Sequence, residues 1–140
     1  MKKRVKYIIF SISALLLGLG DYLIFRKDTY LHSFLKTPQD FGLSNISFMF
    51  DEFVTYALPD LFWSFSLAMA LIALYMPEKR GVSAIVAAVS FFGIAWETAQ
   101  LIGITSGTFD LIDCGMYIIS SVSAGLIYCF IEKLFRRDSL

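Results

Sequence analysis

Apolar residues in this chain run in four long blocks, at about residues 5–25, 58–76, 81–104 and 109–135. Each block approaches the roughly 20 residues that a helix needs to cross a hydrocarbon core. "MPEKRG" joins the second block to the third, and "TSGT" joins the third to the fourth. Joins that short force antiparallel neighbours in a helical bundle. Residues 26–57 are too many for a simple turn. From Leu43 onward, Leu43, Ile46, Phe50, Phe53, Val54 and Ala57 recur at helical spacing, with Asp51 and Glu52 on another face. This spacing predicts an amphipathic helix lying at the outer membrane interface, over the mouth of the bundle. Pro59 suits the first turn of the second span. His32 falls in the less regular part of this segment and reads as a solvated loop residue.

Composition supports the bilayer as solvent. The chain of 140 residues has room for one domain. Its apolar content of 57%, aromatic content of 16% and mean hydropathy of +0.67 exceed what an ordinary soluble domain of this size can bury. The expected fold class is all-α: a polytopic membrane protein, a four-transmembrane-helix bundle over residues 1–140 with an amphipathic interfacial helix in the first outer loop.

Charge sets the expected orientation. Lys2, Lys3, Arg4, Lys6, Lys79, Arg80, Lys133, Arg136 and Arg137 all fall on one side of a four-span arrangement, and only Arg26, Lys27 and Lys36 on the other. The positive-inside rule puts both termini in the cytoplasm of a multi-pass cell-membrane protein. The acids are opposed: Glu78, Glu132 and Asp138 inside, against Asp21, Asp28, Asp40, Asp51, Glu52, Asp60, Glu97, Asp110 and Asp113 outside or in the outer half. A formal net charge of zero therefore divides into nine cations against three acids inside and three cations against nine acids outside. The first block also resembles a signal peptide, with Gly18 and Gly20 before a potential cleavage point, but apolar "YLIF" continues past them and favours an uncleaved span.

The chemistry concentrates in "AWETAQLIGITSGTFDLID", residues 95–113. Glu97 and Gln100 are three apart and share a helix face. Asp110 is placed to cap the fourth helix, with Asp113 at its third helical position and Tyr117 one turn further along the same face. In the second span Asp60, Trp63 and Ser64 lie within about one turn, with Asp60 at a helix start that favours negative charge. Asp60, Trp63, Ser64, Glu97, Gln100, Thr108, Asp110, Asp113 and Tyr117 are thus the candidate residues of an outer-facing polar pocket, which Asp21 could join. Glu97 has no helix end nearby to explain it. An ionised side chain at a helix centre costs about 2.5–3.5 kcal/mol on insertion scales, so Glu97 is expected to face the bundle interior. The inner half reads as packed: Ser11, Ser13, Gly18 and Gly20 in the first span, and Ser120, Ser121, Ser123, Ala124 and Gly125 in the fourth, suit close helix approach in lipid. Cys114 and Cys129 lie about 22 Å apart along one helix, too far to bridge, and read as small packing residues.

"ETAQLIGITSGTFDLID" resembles the VanZ-like membrane proteins, a family named for an accessory factor in glycopeptide-antibiotic resistance. That family carries Glu-x-x-Gln near the end of one span, then a Gly-containing turn and paired aspartates opening the next. Glu97, Gln100, Gly107, Asp110 and Asp113 match it. "LPDLFWSFSLAMAL" is similar to the preceding span of small members, which extends the likeness over roughly residues 55–130. Many members have an arginine just after the turn glycine and an asparagine a turn beyond the last aspartate, where this chain has Thr108 and Tyr117. The resemblance implies an integral membrane protein of the cell envelope with no defined activity.

Two functions of different classes follow. In the first, the acidic layer binds an envelope ligand, namely a lipid headgroup, a cationic antibiotic moiety or a partner protein. In the alternative, the chain is a small membrane enzyme acting on a lipid-linked substrate at the outer leaflet, its carboxylates holding a divalent cation such as Mg²⁺ or Ca²⁺. There is no Ser–His–Asp or Cys–His set to specify a catalyst, and no cofactor is called for. Transport would need a homo-oligomer, because four short spans with a packed inner half offer no continuous polar path. Membrane lipids are the expected surroundings, and the missing basic surface outside the span-flanking clusters excludes nucleic acid.

Overall fold

The structure, a computed structural model, describes residues 2–25, 55 and 57–137; the amphipathic helix expected from Leu43 and His32 lie outside the described residues. Four helices make up the described chain: α1, Lys2–Phe25; α2, Leu58–Tyr75; α3, Lys79–Leu101; and α4, Leu111–Arg137. All four are long and apolar enough to cross a membrane. Most of their large apolar side chains point outward, among them Leu16, Leu17, Phe91, Phe92, Leu126 and Phe130.

The buried positions of α1 are Tyr7, Ser11, Ala14, Gly18 and Asp21, alternating steps of four and three that define one seam. This seam faces α2. Two hydroxyls cross it reciprocally: the Ser11 hydroxyl donates to the Ser66 carbonyl at 2.9 Å, and the Ser66 hydroxyl donates to the Ser11 carbonyl at 2.9 Å. Further along, a methyl group at Gly18 would sit 2.6 Å from Trp63 Cδ1, so only glycine lets the indole lie against α1 there. Helix α2 packs on α1, α4 and α3 in turn, and its Ala68, Met69, Ile72 and Ala73 form the middle of a core completed by Tyr7, Val82, Val89, Ala124 and Tyr128. Ser90 and Ser121 share a hydrogen bond of 2.7 Å between α3 and α4, where Gly125 also accommodates Val82 and Val86.

At one end of the bundle, three chain segments meet around Tyr128. Its hydroxyl donates to the Pro77 carbonyl at 2.8 Å, and its ring meets that of Tyr7 edge-on at 5.0 Å. The Tyr7 hydroxyl donates to Glu132 Oε1 at 3.0 Å, and Lys6 Nζ stands 3.8 Å over the Phe135 ring. Every described lysine and arginine belongs to this end, at the start of α1, the start of α3 or the end of α4. It is the basic end. The opposite end carries Asp60, Glu97, Asp110 and Asp113.

One helix boundary differs from the sequence expectation, and the capped start of α4 agrees with it. Helix α3 stops at Leu101, short of the expected 104, because Gly103 takes a left-handed φ of +74° and the Ile104 N–H folds back to the Ala99 carbonyl at 2.8 Å. Helix α4 starts at Leu111, because Asp110 serves as its N-cap outside the helical conformation. Cys114 and Cys129 are both free thiols.

Candidate functional site

Glu97 is only 2% exposed, although α3 ends at Leu101, about 6 Å further along the helix axis. It faces the interior. Its Oε2 accepts the backbone N–H of Asp110 at 3.1 Å, and its Oε1 accepts Gln100 Nε2 at 3.4 Å. Asp110 in turn is a working N-cap. Its Oδ1 accepts the Ile112 N–H at 2.7 Å, and its carbonyl accepts the Cys114 N–H at 3.4 Å. In a capping box, the acid at the third helical position reaches back to the N-cap N–H. Here that position is Asp113, yet the N–H is taken by Glu97 from the preceding helix. One buried carboxylate thus satisfies an exposed helix end and draws on its dipole, without a basic side chain among the described residues.

The turn between the helices is shaped for this contact. Gly107 has φ +137°, and a Cβ there would run into the carboxamide of Gln100, which lies across its backbone. Glycine is therefore required twice, for conformation and for space. Thr108 is exposed in the same turn.

One turn below Glu97, on the same face of α3, Gly93 is buried under the ring of Tyr117, which a Cβ at Gly93 would strike. That notch lets Tyr117 reach across from α4 to α2, where its hydroxyl donates to the carboxylate of Asp60. Glu97 and Asp113 lie close enough to the same phenol to act on it electrostatically. The buried Cys114 thiol sits within electrostatic reach of Glu97, Asp113 and Asp110. Three carboxylates from three helices, Asp60, Glu97 and Asp113, thereby act on Tyr117, Asp60 through a hydrogen bond and the other two through their charge.

Two residues of the expected group are placed elsewhere. Trp63 lies against α1, its ring 6.2 Å from that of Tyr22 and in contact with Gly18. Ser64 is buried a turn below Asp60, donating to the Leu61 carbonyl at 3.3 Å, which also receives the Ser120 hydroxyl at 2.5 Å. Both are explained by helix packing. Asp21 is buried on the α1 seam. Compared with family models, curated proteins and solved structures, the chain matches none.

Sequence reasoning missed Gly93, whereas Cys114, read as a small packing residue, is buried. Gly93 carried a signal: glycine inside a helix costs about 1 kcal/mol relative to alanine, so one placed four residues before a buried glutamate calls for a packing partner. Among the described residues, no group of three or more His, Cys, Asp or Glu side chains is arranged to hold a metal ion. Glu97 is held by an amide and a backbone N–H, both neutral donors.

Proposed function

We propose that this chain is a multi-pass protein of the cell membrane, with both termini cytoplasmic, that binds a cationic envelope ligand at its acidic outer end. The four apolar helices and the segregation of described cations to one end support the topology. The resemblance of residues 95–113 to VanZ-like proteins supports the assignment to the cell envelope.

One observation carries the binding reading. Asp60, Glu97 and Asp113, from three helices, share the end of the bundle away from every described lysine and arginine, and Glu97 is buried there at 2% exposure. Carboxylates in low dielectric are costly unless opposed by positive charge. Glu97 is held by two neutral donors, an amide and a backbone N–H, and a ligand amine or quaternary ammonium would add positive charge to the layer. Glu97 is then a positioning residue that fixes α4 against α3, while Asp60 and Asp113 face the ligand. This is a binding function, and no reaction is assigned to it.

Native mass spectrometry of protein released gently from its own membranes tests this reading. Wild type should carry an adduct whose mass identifies an amine-bearing lipid or small molecule, and Asp60→Asn should lose it while keeping its helical content. Identical adducts on both proteins, or none on wild type, would overturn the proposal.

A further inference from the structure

We propose that the basic end of the bundle is a docking surface for the phosphate headgroups of anionic phospholipids, centred on the connection between α2 and α3. This inference rests on reading the helices as membrane spans and owes nothing to the acidic end.

The surface is assembled by the fold. Tyr128 ties the 76–78 connection to α4 through the Pro77 carbonyl at 2.8 Å, and Tyr7 ties α1 to α4 through Glu132 at 3.0 Å. Three cation-bearing segments are thereby drawn together: Arg4 and Lys6 on α1, Lys79 and Arg80 on α3, and Lys133 on α4, all exposed. One of the two acids described here, Glu132, is turned inward as acceptor for Tyr7, which leaves Glu78 as the exposed one. The patch has a built orientation toward the interface, since Tyr75 stands 67% exposed at the end of α2, where amphipathic rings sit at headgroup level.

Charge placement within the patch favours a bound anion over a purely structural role. Lys79 and Arg80 occupy the first turn of α3, a turn with no acidic residue and with no side-chain cap from Glu78. Cations at that position oppose the helix dipole and cost the isolated helix stability. An anion seated over them reverses that sign, since it pairs with both side chains and with the dipole. A phospholipid phosphate at the membrane boundary is held at the right depth to do this, and each basic residue near an anionic surface strengthens the attraction about fivefold.

The test uses full-length protein in bilayer nanodiscs containing equal amounts of phosphatidylglycerol and phosphatidylcholine with matched acyl chains, followed by native mass spectrometry of the lipids retained. Wild type is expected to keep phosphatidylglycerol in clear preference, and Lys79→Gln/Arg80→Gln to lose at least about fivefold of that preference. Lys79→Glu keeps the outcome independent of folding defects: a carboxylate in the first turn stabilises α3, so the melting temperature should hold or rise while phosphatidylglycerol retention falls. Equal retention of both lipids by wild type overturns the proposal, as does undiminished retention by Lys79→Glu. Failure of the chain to enter nanodiscs at all would instead overturn the membrane-span reading on which the proposal stands.

Discussion

The two ends of the bundle solve the same problem with different chemistry. At the basic end, polar groups brought into an apolar interior are hydroxyls, and each finds a partner far away in sequence: Tyr7 with Glu132, and Tyr128 with Pro77. At the acidic end, the buried group is a carboxylate, and its partners are a backbone N–H and an amide within 13 residues. Hydroxyl bonds of the first kind hold separate helices together. The carboxylate at the second holds a helix end and a turn in place, since a helix N-terminus can stabilise an anion without a basic side chain. The first end is therefore built for cohesion. The second is built around a buried carboxylate that a helix N-terminus answers.

Removing Glu97 should break this comparison most sharply. Glu97→Ala leaves the part-buried Asp110 N–H and Gln100 amide without their acceptor, and hydrogen bonds to charged groups contribute about 1.5–3 kcal/mol. We expect a loss of about 3 kcal/mol in reversible denaturation in mixed micelles. Glu97→Gln, which retains one acceptor oxygen for Asp110, should lose about 1 kcal/mol. Equal losses for the two variants would mean that the carboxylate charge matters there and side-chain volume does not, whereas no loss in Glu97→Gln would mean that the acidic end works like the basic one.

How much of this was legible follows from which interactions are local. The inward direction of Glu97, its contact with Gln100 and the N-cap at Asp110 were all readable, because each depends on helix periodicity or on residues a turn apart. The seam of α1 was half readable: Ser11 and Gly18 were recognised as small packing positions, whereas Tyr7 was not singled out. The hub at Tyr128 was invisible. A tyrosine near the end of an apolar block looks like an interface anchor, and its role depends on Pro77 and Tyr7, both more than 50 residues away along the chain. The end of α3 was misjudged for a physical reason as well, since apolar residues continue through Ile102 and Ile104 after Gly103 has already turned the backbone.

Gly93 offers the next largest effect and sharpens what the acidic end requires. A methyl group there collides with the Tyr117 ring. Overpacking of this kind costs about 1–3 kcal/mol, and the ring must withdraw from α2. Gly93→Ala should therefore lose about 2 kcal/mol and also release Asp60 from its phenolic donor. Ultraviolet resonance Raman of the tyrosines would register the change at Tyr117. If Gly93→Ala also abolishes ligand adducts while Tyr117→Phe keeps them, the position of the ring matters more than its hydroxyl.

The smallest effect belongs to the basic end, and it tests whether that end acts as one unit. Tyr128→Phe removes the donor to Pro77, and Tyr7→Phe removes the donor to Glu132; each should cost about 1 kcal/mol. The rings touch edge-on at 5.0 Å, and both are nearly inaccessible, so neither change leaves room for water to substitute for the lost hydroxyl. Phenylalanine preserves ring packing in both variants, which confines the measurement to the hydroxyls. If the two bonds brace one another through that shared contact, the double variant should deviate from additivity by at least about 0.5 kcal/mol. Strict additivity would mean that Tyr7 fastens α1 and Tyr128 fastens the 76–78 connection independently, and that the cations of the basic end are gathered by two separate clasps rather than by one hub.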